Sequence, residues 1–369
     1  MLTEKEFLQE IAVAADERKK FVKNIVAHGL PIFIFGAGNY AKEVTDIFNA
    51  HGVKIDGYLV DEQYYTSNTF YLNRPIYSIS EIFNDKSKNF VVIRGLANRI
   101  ALQNAKDRLA ERSGCFIYEF IKEKFYTLTY DEIISEKDKF FETYSLLSDD
   151  TSRQTFMIYL KAHLSLVPSY LESIFEPKEY FNELTRDSIT RGDAIFVDCG
   201  AYNGDSVEKF IDFVGGNYKK IFAFEPDNGN FIKLQQMIKD NEYKNIVLCN
   251  CGIWDKKETL KFNSRKSTSF FISEDGNTIV NVDSIDNIVG GEKVTFIKMD
   301  VEGAELKALN GAIQTLKRSK PTLAISVYHR KEDLITIPQF IKSVYKDARF
   351  YLREHRTQNL LELDLYVIP

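Results

Sequence analysis

The second half of the chain alternates short apolar runs with segments of helical spacing, and this alternation constrains the fold most. From residue 194 onward, apolar runs that suit buried strands are separated by amphipathic stretches. The predicted strands are residues 195–199, 221–224, 246–249, 294–299 and 322–327, and the predicted helices are 207–213, 231–238 and 306–316. The closing runs 350–353 and 363–368 have no helix between them. The pattern predicts an α/β fold with a doubly wound, mostly parallel sheet and an antiparallel hairpin at its C-terminal edge.

The N-terminal part repeats this alternation on a smaller scale. An apolar run at 32–35 is followed by a glycine turn, a helical pattern and a second run that ends at Asp61. Gly36, Gly38 and Ala41 form a GxGxxA motif between strand and helix, the context that a dinucleotide-binding motif requires. With Asp61 they predict a nucleotide or nucleotide-sugar site. We therefore predict a small Rossmann-like domain over 1–118, a helical connector over 119–190 and a larger α/β domain over 191–369.

Composition and charge exclude several classes of protein. The chain has 48 basic and 53 acidic side chains, a formal net charge of -5, which argues against a nucleic-acid partner. No apolar run approaches the roughly 20 residues that a membrane helix needs. The N-terminal sequence shows no secretory signal, and the four cysteines lack metal-binding spacing, so we expect reduced thiols and a cytoplasmic protein.

A glycine turn and an acidic residue predict a nucleoside site in the larger domain. The turn from Asp198 through Gly200 to Gly204 follows the first strand and opens a helix, and Glu225 stands at the tip of the next strand. Glycines let the backbone approach a ligand, and an acid at the second strand tip accepts hydrogen bonds from ribose hydroxyls. No GxGxxG is present here, so a mononucleoside suits this site better than a dinucleotide.

Six ordered sequence blocks resemble one known family. FVDCGAYNGD, FAFEP, NCGIWD, FIKMDVEGAELKALNGA, KPTLAISVYHRKEDLITIP and YLREH are similar to the FkbM-type S-adenosylmethionine-dependent methyltransferases, over about residues 150–369. The resemblance implies a class I methyltransferase fold and S-adenosylmethionine as cofactor. The cofactor-binding residues that it implies are Asp198, Gly200, Tyr202, Gly204, Glu225, Cys251, Gly252, Ile253 and Trp254. The N-terminal domain resembles the small N-terminal domains of bacterial sugar acyltransferases.

Two further strand tips carry candidates for activating a methyl acceptor. Asp300 and Glu302 follow the fourth strand of the larger domain, and His329 follows the fifth. A histidine with an ordinary pKa suits a general base near neutrality, so His329 and Asp300 are the predicted catalytic residues. Asp300 and Glu302 could instead bind a divalent cation through oxygen ligands. Glu302 and Glu305 could equally serve only to complement a helix N-terminus.

The combined prediction is an S-adenosylmethionine-dependent O-methyltransferase that acts on a hydroxyl of a small sugar or nucleotide-sugar-like acceptor, with help from a base or a metal. Two alternatives stay open. One is a nucleotide-sugar oxidoreductase or epimerase centred on the GxGxxA motif, and the other is a non-catalytic nucleotide-binding scaffold. We expect no nucleic-acid partner and no membrane span, and the sequence is compatible with a homo-oligomer.

Overall fold

The fold is known from a computed structural model, which describes residues 1–96, 98–110, 112–119, 127–264, 270–272, 278–357 and 359–369. Its N-terminal part forms, in chain order, α1 (Glu4–Val26), β1 (Ile32–Phe35), α2 (Asn39–Ala50), β2 (Gly57–Val60), β3 (Phe70–Tyr71), β4 (Arg74–Ser78), α3 (Ile79–Phe83), β5 (Phe90–Arg94), α4 (Arg99–Leu109) and β6 (Cys115–Tyr118). These strands make one sheet in the order β3-β4-β2-β1-β5-β6. Only the pairing of β3 with β4 is antiparallel.

Between this sheet and the next large one, the described residues 127–194 form the helices α5 (Tyr130–Ser135), α6 (Lys137–Leu146), α7 (Asp150–Ser165), α8 (Ser169–Glu172) and α9 (Glu183–Ile189). The long helix α1 packs on them rather than standing apart with the N-terminal sheet. The ring of Phe7 lies 5.8 Å from Phe141 and 5.5 Å from Tyr144. One apolar cluster includes Phe7, Phe156 and strand residues of both large sheets, so the core runs across the predicted boundaries at 118 and 190.

The second half follows the predicted α/β alternation. Its elements are β7 (Ile195–Cys199), α10 (Asp205–Phe213), β8 (Lys220–Phe224), α11 (Asn228–Asp240), β9 (Ile246–Cys249), β10 (Gly252–Ile253), β11 (Glu258–Ser264), β12 (Phe270–Ile272), β13 (Thr278–Asp283), α12 (Ile285–Val289), β14 (Phe296–Met299), α13 (Glu305–Asn310), α14 (Ile313–Ser319), β15 (Thr322–Ser326), α15 (Asp333–Val344), β16 (Arg349–Glu354) and β17 (Leu363–Ile368). The seven-stranded sheet has the order β16-β17-β15-β14-β7-β8-β9.

Strand direction in this sheet confirms the predicted fold class. Strands β7, β8, β9, β14 and β15 run parallel, whereas β17 is antiparallel to both β15 and β16. The closing hairpin thus completes a doubly wound sheet. Among the described helices, none combines the length and the apolar character needed to cross a membrane.

Two features differ from the prediction. The expected single helix over 306–316 is wrong, because the segment forms two helices, α13 and α14, that meet at Gly311. A Cβ at Gly311 would lie 2.1 Å from the carbonyl oxygen of Trp254, and the carboxylate of Asp286 accepts hydrogen bonds from the first turn of α14. The small sheet β10-β13-β11-β12 was also not predicted. It extends from the tip of β9 and supplies Ile253 and Trp254 to the cavity described next.

Candidate active site

A cavity of about 510 Å³ opens at the edge of the sheet where β7, β8, β14 and β15 end. Its first half is walled mainly by predicted cofactor residues: Gly200, Tyr202, Glu225, Cys251, Gly252, Ile253 and Trp254. Its second half is walled by polar and acidic groups: Asp300, Glu302, Tyr328, His329, Arg356 and Glu362. The parallel strands bring these groups together because the carboxyl ends of parallel strands share one edge of a sheet.

At Gly200 the turn after β7 lies close to the backbone of Asp300 at the tip of β14. The φ of Gly200, 85°, is in the left-handed region, and a Cβ there would lie 2.0 Å from the carbonyl oxygen of Asp300. No side chain fits between the tips of β7 and β14. Gly200 also lines the cavity, and its role in binding a ligand stays a prediction.

Two of the predicted cofactor residues, Asp198 and Gly204, do not line the cavity. Asp198 is fully buried beneath the turn, where its carboxylate accepts a hydrogen bond from Ser206. Gly204 begins α10 with a φ of 96°, and a Cβ there would lie 2.1 Å from the Cε of Met237. The left-handed φ at 204 favours glycine there, and the space beside it is already taken by side chains of α11.

Lys298 is a buried cation that sequence reasoning missed. It lies in the middle of β14, and its Nζ donates to the carbonyl oxygen of Gly200 at 2.6 Å and stands 3.4 Å from Asp198. Burial opposes the charged form, but the carboxylates of Asp198 and Asp300 outweigh it and raise the pKa of Lys298. A lysine inside the apolar run FIKM was the available signal.

Glu225 is held at the tip of β8 by two backbone donors. The N–H of Tyr202 donates to its Oε2 at 2.9 Å, and the N–H of Asp227 donates to its Oε1 at 2.8 Å. Burial raises the pKa of Glu225 to about 7 despite these hydrogen bonds. This carboxylate thus changes its charge within the physiological pH range.

His329 is enclosed by carboxylates at the other end of the cavity. Its Nδ1 donates to Oε1 of the fully buried Glu305 at 2.8 Å, and its Nε2 lies 3.4 Å from Asp300 and 3.5 Å from Glu302. Burial alone would lower the pKa of His329, yet the neighbouring carboxylates raise it to about 9. The sequence prediction assumed an ordinary histidine pKa, and the structure corrects this: an imidazolium, not a free base, is favoured at neutral pH.

Glu305 is more than a helix-terminal acid. Besides binding His329, its Oε1 accepts the N–H of Val301 at 3.0 Å, and its side chain is fully buried. Asp300, Glu305 and His329 offer ligand atoms that all lie within 4.8 Å of one another. Among the residues that the structure describes, these three form the group whose geometry is compatible with holding a metal ion.

The predicted N-terminal site residues share one sheet edge but do not line this cavity. Gly36 has a φ of 123°, and a Cβ there would meet the carbonyl oxygen of Gly95 at 2.4 Å. Gly38 begins α2, and Ala41 is fully buried. Asp61 is half-buried, and burial raises its pKa. A nucleotide site here stays a prediction.

Replacing Lys298 with methionine should destabilise the protein by about 3–5 kcal/mol, because Asp198 would keep a buried charge without its partner. The measurement is the free energy of unfolding from urea denaturation. Lys42→Met is the matched control, since Lys42 forms an exposed ion pair with Asp46 at 2.9 Å and its loss should change stability little. Equal effects of the two substitutions would contradict a structural role for Lys298.

Comparison with known proteins agrees with this geometry. Residues 198–356 match the model of the family described as Methyltransferase FkbM domain. The whole chain resembles the crystal structure of methyltransferase FkbM from Methylobacillus flagellatus KT, with 23% identity, a TM-score of 0.73 and coverage of 99% of this chain and 100% of that one. An rRNA methylase from Streptococcus thermophilus matches with 17% identity, a TM-score of 0.34 and coverage of 50% and 92%.

A comparison with curated proteins yields no significant match. The matched segment begins at Asp198 and ends at Arg356, so it contains the residues that line the cavity except Leu361 and Glu362. This chain therefore carries a segment that matches the methyltransferase FkbM domain, within a fold shared over nearly its full length with an FkbM methyltransferase.

Proposed function

We propose that this protein is an S-adenosylmethionine-dependent O-methyltransferase that acts on a hydroxyl of a sugar or another glycan-pathway substrate. The observation that carries the proposal is the pairing of Gly200 and Glu225 on one wall of the cavity, within the segment that matches the FkbM domain. The carboxylate of Glu225 would accept hydrogen bonds from the ribose hydroxyls of the cofactor. Ile253 and Trp254 would flank its adenine. The site suits the cofactor because the backbone of Gly200 and the carboxylate of Glu225, which is fixed by the N–H of Tyr202, line the same cavity.

S-adenosylmethionine, when bound, supplies an electrophilic methyl group for in-line displacement. The protein's contribution is to align the acceptor oxygen with that methyl group, and positioning of this kind can lower a barrier by several kcal/mol. Asp300, Glu302 and His329 form the wall that would face the acceptor. Because His329 favours its charged form, it would donate a hydrogen bond, while Asp300 is the better placed group to accept the hydroxyl proton at neutral pH.

Sugar specificity is the finer part of the proposal. Carboxylates that accept hydrogen bonds from hydroxyls suit a polyol, and the acceptor half of the cavity contains Asp300, Glu302 and Glu362. The N-terminal resemblance to sugar acyltransferase domains points in the same direction. The predicted cytoplasmic location and a homo-oligomeric state remain expectations.

Titration with S-adenosylmethionine should change the fluorescence of Trp254, which is the single tryptophan of the chain and lies on the cavity wall. Titration with NAD should leave the fluorescence unchanged. A response to NAD alone would favour an oxidoreductase that uses the GxGxxA motif. Silence toward both ligands would favour a non-catalytic scaffold.

The affinity for S-adenosylmethionine should depend on pH through Glu225. Its pKa of about 7 means that the carboxylate form needed for the ribose is lost as the pH falls. Calorimetry should show binding roughly tenfold weaker at pH 6 than at pH 8. Glu225→Gln should bind at least about tenfold more weakly at pH 8 and lose this pH dependence. A variant with unchanged affinity would remove Glu225 from the site.

Substitution of His329 by alanine should lower turnover by roughly 10–100-fold, the worth of one hydrogen bond from a charged donor, and leave the affinity for S-adenosylmethionine intact. The reason is that His329 lies in the acceptor half of the cavity, away from Glu225 and Trp254. Initial rates with labelled cofactor and a panel of sugars and nucleotide sugars, combined with calorimetry, separate the two effects. A near-wild-type rate would remove His329 from the machinery. His28→Ala, in a contact with Tyr118 outside the cavity, is the matched control.

A further inference from the structure

The acceptor half of the cavity contains a guanidinium that the proposed chemistry does not use. Arg356 lies between the two strands of the closing hairpin, and it is the only lysine or arginine among the described residues that line the cavity. The other positive group of this wall, the imidazolium of His329, is surrounded by acids. A molecule that reaches this wall therefore meets one permanently charged cation.

Arg356 uses only part of its hydrogen-bonding capacity within the described part of the chain. Its Nη2 pairs with Oε1 of Glu362 at 2.6 Å, which is the single ion pair of the guanidinium there. A guanidinium has five N–H donors in a planar fork, so most of them stay available. The side chain is 45% exposed, which leaves room for a ligand to reach these donors. Such a fork matches the oxygens of a carboxylate or a phosphate.

Glu362 is an incomplete counter-ion for Arg356. Burial and the neighbouring Glu179 raise the pKa of Glu362 to about 8, although Arg356 acts in the opposite direction. Near neutral pH a proton therefore competes with the guanidinium for this carboxylate. Arg356 consequently retains positive charge that an anionic ligand can neutralise.

The loop that carries Arg356 is fixed by contacts within the protein. The N–H of Arg356 donates to Oε1 of Glu354 at 2.9 Å, and the N–H of His355 donates to the carbonyl oxygen of Glu362 at 2.9 Å. Nδ1 of His355 also donates to the carbonyl oxygen of Glu176 at 2.6 Å. A guanidinium on a fixed backbone loses less conformational freedom on binding than one on a segment that must first be ordered.

We propose that Arg356 binds an anionic group of the methyl acceptor, a phosphate or a carboxylate, and thereby selects a charged sugar derivative over a neutral sugar. That this group belongs to a methyl acceptor rests on the proposed methyltransferase function, whereas the binding of an anion by Arg356 does not. Asp300, Glu302 and Glu362 on the same wall sharpen the selection, because they repel an anion that the guanidinium does not hold.

The first test is protection of Arg356 from phenylglyoxal, a reagent that modifies arginine side chains, in the full wild-type chain. Inorganic phosphate and acetate are the probes, each compared with chloride at the same ionic strength. A site with a Kd of about 1 mM is roughly nine-tenths filled at about 10 mM probe, so labelling of Arg356 should slow by roughly tenfold. Peptide mass spectrometry measures the rates. The anion that protects more strongly identifies the group on the acceptor.

Arg186 is the matched control within the same sample. Its side chain is 46% exposed, is paired with Glu183 and does not line the cavity. Its labelling should not respond to either anion. Labelling of Arg356 at the same rate with and without both anions, or equal protection of Arg186, would overturn the proposal.

Substitution of Arg356 tests its role in selecting the acceptor. Arg356→Gln should lower kcat/KM for charged acceptors by roughly 10–100-fold, the worth of a hydrogen-bonded charge pair, and leave kcat/KM for neutral sugars and the affinity for S-adenosylmethionine unchanged. Arg356→Lys retains the charge without the fork and should recover part of the loss. Circular dichroism and the unfolding midpoint establish that each variant is folded. An equal loss for charged and neutral acceptors would show a structural role and contradict the proposal.

Failure of the proposed function gives a different result. A chain whose Arg356 is protected by an anion, but which shows no response to S-adenosylmethionine, retains the anion site and loses the methyltransferase assignment. A chain that methylates neutral sugars as well as charged ones, without protection of Arg356, loses only the anion site.

Discussion

The candidate site depends on the contacts that the buried ammonium of Lys298 makes. Lys298 lies within β14 and binds both Asp198 and the carbonyl oxygen of Gly200, which belong to the neighbouring strand and its turn. A buried charge has to be paired, so the turn after β7 is drawn against the tip of β14. As a result, the carbonyl oxygen of Asp300 lies 2.0 Å from the position that a Cβ of residue 200 would occupy. The contacts of Lys298 thus join the turn after β7 to the strand that ends at Asp300.

The two halves of the cavity differ in how they present charge. Glu225 is a single carboxylate held by backbone N–H groups, beside the apolar side chains of Ile253 and Phe224. On the opposite wall, Asp300, Glu302 and Glu305 surround His329. In this segment Glu302 has a φ of 55° and Gly303 a φ of 94°. The left-handed φ of Glu302 is uncommon for a residue other than glycine, and Tyr202 on the wall of Glu225 has the same feature with a φ of 48°. The two ends of the cavity therefore differ in the number of acids that they present rather than in backbone conformation.

Strand positions and strand tips were the most predictable elements. Each predicted strand of the larger domain is present, because an apolar run bounded by turn residues has few other solutions in a buried sheet. The prediction of one helix over 306–316 was wrong because the apolar residues keep helical spacing throughout this segment. In the structure the backbone of Trp254 lies against Gly311, and the segment forms two helices that meet there. Gly204 illustrates the same limitation: the side chains of Leu234 and Met237 occupy the space beside it, and local sequence does not identify these neighbours.

The sequence by itself determined the α/β alternation, the glycine turn at Gly200 and the acid at Glu225, since these follow from local patterns and their order along the chain. Only the tertiary structure decided which charges meet. Lys298 and Asp198 are 3.4 Å apart in adjacent strands although they are far apart in sequence, and His329 acquires its raised pKa from acids on another strand tip. Electrostatic energies depend on distance and burial in space, which residue order does not specify.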